Sequence, residues 1–151
     1  MSKTILIARP HPFIVSVMKP FLEEGGYAID RLAHISGLST QSAEAAGVVI
    51  SLALSSTIAE SAAEVFLQLR RAAPRVPALF AAMLSLAQAR PALERIAQQA
   101  GMGALILGVD AIPAGSAQLG RPETFLYLSK DDLTSPERRA IAAGLIQRHF
   151  R

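Results

Sequence analysis

Few side chains in this sequence are equipped for chemistry, and those that are stand apart. His11, His34 and His149 fall on separate segments, and no His/Asp/Glu cluster has the spacing of a metal site. Cysteine is absent, which removes disulfides and thiolate metal sites and agrees with a reducing compartment. Glu23-Glu24 and Asp131-Asp132 are acidic pairs. The first lies near a helix end; the second is expected to begin a loop and favour the dipole of the final helix, and both are expected to be solvated. Gly101-x-Gly103 precedes a strand and lacks the third glycine of a dinucleotide fingerprint, and no Gly-x-x-x-x-Gly-Lys-Ser/Thr loop occurs. What remains is a set of polar residues at the ends of hydrophobic runs: Arg9, Ser51, Ser55 and Ser85. A hydroxyl such as Ser51, with no base beside it, is an unactivated nucleophile. Together with a cationic Arg9, these residues would form an anion pocket at strand carboxyl ends, a usual ligand place in α/β folds.

The elements that would hold them are six short runs: Thr4–Ala8, Tyr27–Leu32, Gly47–Leu54, Pro77–Met83, Ala104–Val109 and Thr124–Ser129. Most are continuously apolar, as expected of strands buried on both faces. Helical stripes separate them. Phe13, Ile14, Val17, Met18, Phe21 and Leu22 share one face of a helix that Gly25-Gly26 would end, with Pro20 predicting a kink. Ile58, Ala62, Val65, Phe66 and Leu69 mark a helix after the capping run Ser55-Ser56-Thr57; Leu93, Ile96, Ala97 and Ala100 mark another. Ser36–Ala45 suits a short, weak helix. Thr134-Ser135-Pro136-Glu137 has the pattern of a capping box, followed by a buried stripe of Ile141, Leu145, Ile146 and Phe150. Alternating strands and helices imply parallel pairing with right-handed crossovers. The expected fold is therefore α/β, a doubly wound and mostly parallel sheet of five to six strands in a three-layer α/β/α arrangement, with residues 1–151 as a single domain. Asp110–Glu123 is expected to be a long loop, functional or mobile.

Composition narrows the function classes. The 151 residues are 51% hydrophobic and 18% charged, which excludes a disordered chain. The isoelectric point near 9.8 suggests nucleic acid. However, the net charge is only +3 and no segment concentrates arginine into a phosphate-binding stripe, so nucleic-acid binding is not expected. No apolar run reaches membrane-spanning length and the first residues do not form a signal peptide, so a cytoplasmic location is expected.

The first strand continues Ile7-Ala8-Arg9-Pro10-His11-Pro12, and Phe21-Leu22-Glu23-Glu24-Gly25-Gly26-Tyr27 follows. This resembles the opening of a CheY-like response-regulator receiver domain, a flavodoxin-like fold, in which the first strand runs into two acidic residues and then His-Pro. Along that resemblance, Arg9 and Pro10 replace the acidic pair. Ser51 in Val48-Val49-Ile50-Ser51-Leu52-Ala53-Leu54 stands at the phosphoacceptor aspartate. Ala82 takes the place of the Thr or Ser that closes strand four. The family's conserved lysine falls at Gly108 if Ala104–Val109 is the fifth strand. It falls at Lys130 if Thr124–Ser129 is, and Gly103–Glu123 is then an insertion.

The resemblance implies an atypical, or pseudo-, receiver. Its reaction needs a carboxylate nucleophile and Mg²⁺ held by further carboxylates and a carbonyl, and Arg9, Pro10, His11, Ser51, Ala82 and Lys130 would make a degenerate pocket. Neither magnesium nor any other cofactor is expected, nor catalysis. Arg9 is expected to point to solvent, as strand-end residues do by default. The alternative places it in the vacated pocket, substituting for the metal's charge. His11 is expected to cap or pack. Function would then lie in phosphorylation-independent binding of another signalling protein or a second copy. By resemblance, the partner face would be formed by the fourth helix, fifth strand and last helix, with Arg90, Arg95, Arg138, Arg139 and Arg148 on it. The rival reading is a small-ligand or nucleotide-binding domain using the anion pocket.

Overall fold

Runs that are apolar on both sides have nowhere to go but the middle of a layered structure, and that is where the strands lie. The computed structural model describes residues 3–53, 56–111 and 116–150; Leu54, Ser55 and residues 112–115 of the expected long loop lie outside the described residues. Among these, β1 (Thr4–Arg9), β2 (Ala28–Arg31), β3 (Gly47–Ser51), β4 (Ala78–Ala82), β5 (Leu105–Leu107) and β6 (Thr124–Ser129) form one sheet in the order β2-β1-β3-β4-β6-β5. Every pairing is parallel.

Two helical layers cover the sheet. Ile5, Ile7, Val49, Leu79, Leu126 and Leu128 face α1 (Lys19–Glu24) and α6 (Pro136–His149). The alternate residues, among them Leu6, Val48, Ile50, Phe80 and Phe125, face α2 (Leu38–Ala43), α3 (Ala62–Ala72) and α4 (Leu86–Gln99). Phe66 of α3 meets Phe125 edge-on at 4.9 Å and Phe80 at 5.7 Å between ring centres, a packing worth ~0.5–1.5 kcal/mol per pair beyond burial.

Several local expectations are corrected. The kink expected at Pro20 appears as a π-helical turn over Ile14–Met18 that runs without a break into α1, the wider turn accommodating the N–H that Pro20 lacks. Gly26, at φ 91°, supplies the left-handed residue after α1. Ile58 is buried but precedes its helix, which begins only at Ala62 with Ser61 as its cap. The Thr134–Glu137 capping box does not form: Ser135 makes no side-chain cap bond, and Thr134 Oγ1 donates to the Lys130 carbonyl instead. A capping box does form one short helix earlier, between Ser129 and Asp132 at the start of α5 (Lys130–Thr134). Ile141, expected in the buried stripe, is 43% exposed.

The choice between two fifth strands is settled by pairing. Thr124–Ser129 lies beside β4, where the 2-1-3-4-5 order of flavodoxin-like sheets puts its last strand. Leu105–Leu107 is an additional edge strand beyond it, and its short length limits the unpaired backbone it presents.

Candidate functional site

In a parallel sheet all strands end on one rim, and that rim gathers Arg9, Ser51, Ala82 and Lys130 from the ends of β1, β3, β4 and β6. The β1–β3 register slips between Ile7 and Arg9, an irregularity of the kind that re-aims a side chain. Arg9 does not point to solvent. It is 4% exposed; its Nε donates to the Glu60 carbonyl at 3.0 Å, and its Nη1 donates to the Ser51 carbonyl at 3.0 Å and to the Ala53 carbonyl. Burial lowers its pKa from the ordinary value, yet a guanidinium stays protonated near neutrality. A buried cation is thus held against backbone carbonyl dipoles, an arrangement that desolvation penalises unless those bonds are well made.

The other rim residues spend their polar groups locally. Ser51 is buried, and its Oγ accepts from the Ala53 N–H at 3.1 Å. His11 Nδ1 accepts from the Phe13 N–H at 3.2 Å, the capping role expected for it. Pro10 is buried, and its carbonyl accepts from Ser56 Oγ. Ala82 closes β4 beside Ser129, while Lys130 opens α5 with its side chain exposed. Ser85 caps α4 through a capping box with Gln88. Arg9, Ser51 and Ser85 therefore do not converge into the anion pocket suggested by their strand-end positions, and Ser55 lies outside the described residues.

This donor set does not suit a divalent cation. Magnesium wants several hard oxygens with carboxylates among them, whereas here a guanidinium already takes the carbonyls of Ser51 and Ala53. Among the described residues no group of three His, Cys, Asp or Glu could hold a metal.

Two features of the rim were missed at the sequence level. Tyr127 of β6 is buried and its hydroxyl donates to the Leu84 carbonyl at 2.6 Å, pinning the β4–α4 loop and leaving Met83 and Leu84 exposed; burial raises its pKa. Asp132, expected to be solvated, is 5% exposed: it accepts from the Ser129 N–H at 2.8 Å and from Arg138 Nε at 2.7 Å. The Ser129-x-x-Asp132 spacing was a legible signal for this cap.

The five arginines expected on the partner face lie on the two helices that flank the sheet from opposite sides. Arg90 and Arg95 are exposed on α4, on one side of the sheet, and Arg148 is exposed near the end of α6 on the other. Arg138 bridges Asp132 and Asp110, and Arg139 pairs with Glu24 and lies over the Phe21 ring, so both hold the fold together. The expected face is further altered because β5, not the strand beside β4, forms the sheet edge.

No family model matches the chain, and no curated protein matches it in sequence. Solved structures do. The receiver domain of a sensor histidine kinase from Pseudomonas aeruginosa superposes with a TM-score of 0.58 at 15% identity, covering 99% of this chain and 98% of that one. A chemotaxis response regulator from Vibrio cholerae gives 0.57 at 11% identity, covering 99% of each chain. The chain has the receiver-domain fold. A signal receiver domain of an HD-domain protein from Pseudomonas fluorescens gives 0.57 at 14% identity, covering 98% of this chain and 87% of that one. The Pseudomonas aeruginosa receiver holds a magnesium ion in its active-site cleft; at the corresponding rim of this receiver fold lies the buried Arg9. Among the described residues, no helix is long and apolar enough to cross a membrane.

Proposed function

We propose that this chain is a pseudo-receiver: a cytoplasmic, non-enzymatic signalling module that works without phosphorylation, by contacting another protein or a second copy of itself. The observation that carries the reading is the Arg9 guanidinium, buried against the carbonyls of Ser51, Ala53 and Glu60. An acyl phosphate needs a carboxylate to form on and a cation to neutralise the incoming phosphoryl group. Here the acceptor place holds Ser51, whose Oγ has no base among its bonds, and the cation place holds a side chain that cannot exchange. Ala82 has no hydroxyl for a phosphoryl oxygen, and Lys130 lies exposed at the head of α5. In this reading Arg9 is a fixed replacement for the metal's charge, which keeps the rim in one state.

A module with one state acts through its surface. The exposed Met83 and Leu84 at the head of α4, a helix that also exposes Arg90 and Arg95, make this region the one best suited to a protein partner; arginine and methionine are both enriched at interfaces. The deciding experiment is incubation of the purified chain with acetyl phosphate and Mg²⁺, followed by intact mass measurement. The expected spectrum shows no added phosphoryl group. A stoichiometric, hydroxylamine-sensitive phosphorylated species would overturn the reading.

A further inference from the structure

At the end of the sheet opposite Arg9, the chain encloses a cleft of about 480 Å³ between the loops entering β3, β4 and β6 and the end of α6. Arg75, Pro77, Leu119, Gly120, Arg121 and His149 line it, and among the described residues no carboxylate does. Arg75 and Arg121 are exposed, and among the described residues neither guanidinium has a hydrogen-bond or ion-pair partner. Glu44 and Glu123 stand two residues from lining positions, both exposed and outside the lining.

The loops that display the two arginines are braced, although the arginines are not. The turn from Ala73 to Val76 is closed by its own hydrogen bond and clamped by Arg70, which donates to the carbonyls of both residues. The 117–121 loop turns at Gly120, whose φ of 90° favours glycine, and whose added Cβ would lie 3.4 Å from the Arg148 carbonyl. His149 then joins the two: Nδ1 accepts from the Gly120 N–H at 3.0 Å and Nε2 lies 2.8 Å from the Ala78 carbonyl at the start of β4. These contacts fix the neutral tautomer with the proton on Nε2. Two guanidinium groups with no partner among the described residues are thus held over one concave surface on preorganised backbone, which lowers the ordering cost of binding.

We propose that this cleft binds a compact multivalent oxyanion, a small phosphate-bearing or polycarboxylate molecule gripped between Arg75 and Arg121. Guanidinium forks match both groups in plane and charge. The volume falls within the range of small-molecule sites and is too small for a duplex. Because it lies at the far rim, the site stands or falls independently of the pseudo-receiver reading.

Thermal unfolding and calorimetric titration with pyrophosphate and with citrate, at ionic strength matched with NaCl, test it on the wild-type chain and on Arg75→Gln, Arg121→Gln and the double variant. At least one of the two anions should raise the wild-type Tm, and which one does so separates phosphate from carboxylate recognition. Each single substitution should weaken binding about tenfold, as expected for loss of a charge-assisted hydrogen bond, and the double variant should not respond. Both side chains are exposed, so the variants should keep the wild-type circular dichroism. Absence of any anion-specific stabilisation, or an equal response in the double variant, would overturn the assignment.

Discussion

His149 offers a quantitative test of the packing at the lower rim. The ring is fully buried, accepts from Gly120 and contacts the Ala78 carbonyl, and sits 5.3 Å from the Phe150 ring. Burial, opposed by the Ala78 hydrogen bond and assisted by nearby Arg70, lowers its pKa from 6.5 to about 4. The direction fixes the linkage: between these two values the unfolded chain holds the proton and the folded chain does not, so stability falls as pH drops through the window. With 1.36 kcal/mol per unit, the full effect is about 3 kcal/mol, of which about 2 kcal/mol is lost between pH 7 and pH 5. Urea denaturation at pH 7, 6 and 5 should therefore show the midpoint falling by about 1 M, for an m-value of ~2 kcal/mol/M. His149→Gln, whose amide can still donate and accept, removes the titration, so its midpoint should stay nearly level over the same range. Other groups titrate in both proteins, and the difference between the two slopes isolates His149. Parallel slopes would refute the claim that this ring is buried neutral.

Two further outcomes follow from the geometry. Arg9→Met should destabilise the fold by about 1–3 kcal/mol, because three carbonyls lose their donor while part of that loss is offset by relief from burying a charge; chemical denaturation reads it, and an unchanged midpoint would place Arg9 in solvent. Gly47→Ala should cost about 1–3 kcal/mol through overpacking, since a Cβ there would lie 2.1 Å from the Phe150 ring; adding Phe150→Leu should recover part of the loss, and strict additivity of the two would contradict the contact.

What the amino-acid sequence determined by itself was the layering. Runs such as Val48–Ile50 and Leu79–Ala81 offer apolar groups on both sides, and only a sheet covered on both faces buries them all. The strand-helix alternation then made the sheet parallel, and the His11-Pro12 turn pointed to the receiver fold. Local signals were weaker where two of them competed. Thr134 and Ser129 each stand three residues before an acidic residue, and only the second forms a box, its Asp132 carboxylate also held by Arg138 from the next helix. Tertiary structure alone decided the rest. Strand order depends on pairing between segments far apart in the chain, so it took the folded sheet to put Thr124–Ser129 beside β4 and Leu105–Leu107 at the edge. Arg9 was visible as a cation at a strand end, but its burial depends on carbonyls from Ser51, Ala53 and Glu60, more than 40 residues away in sequence. Backbone acceptors carry no side-chain signature, which is why a residue expected in water proved to be inside.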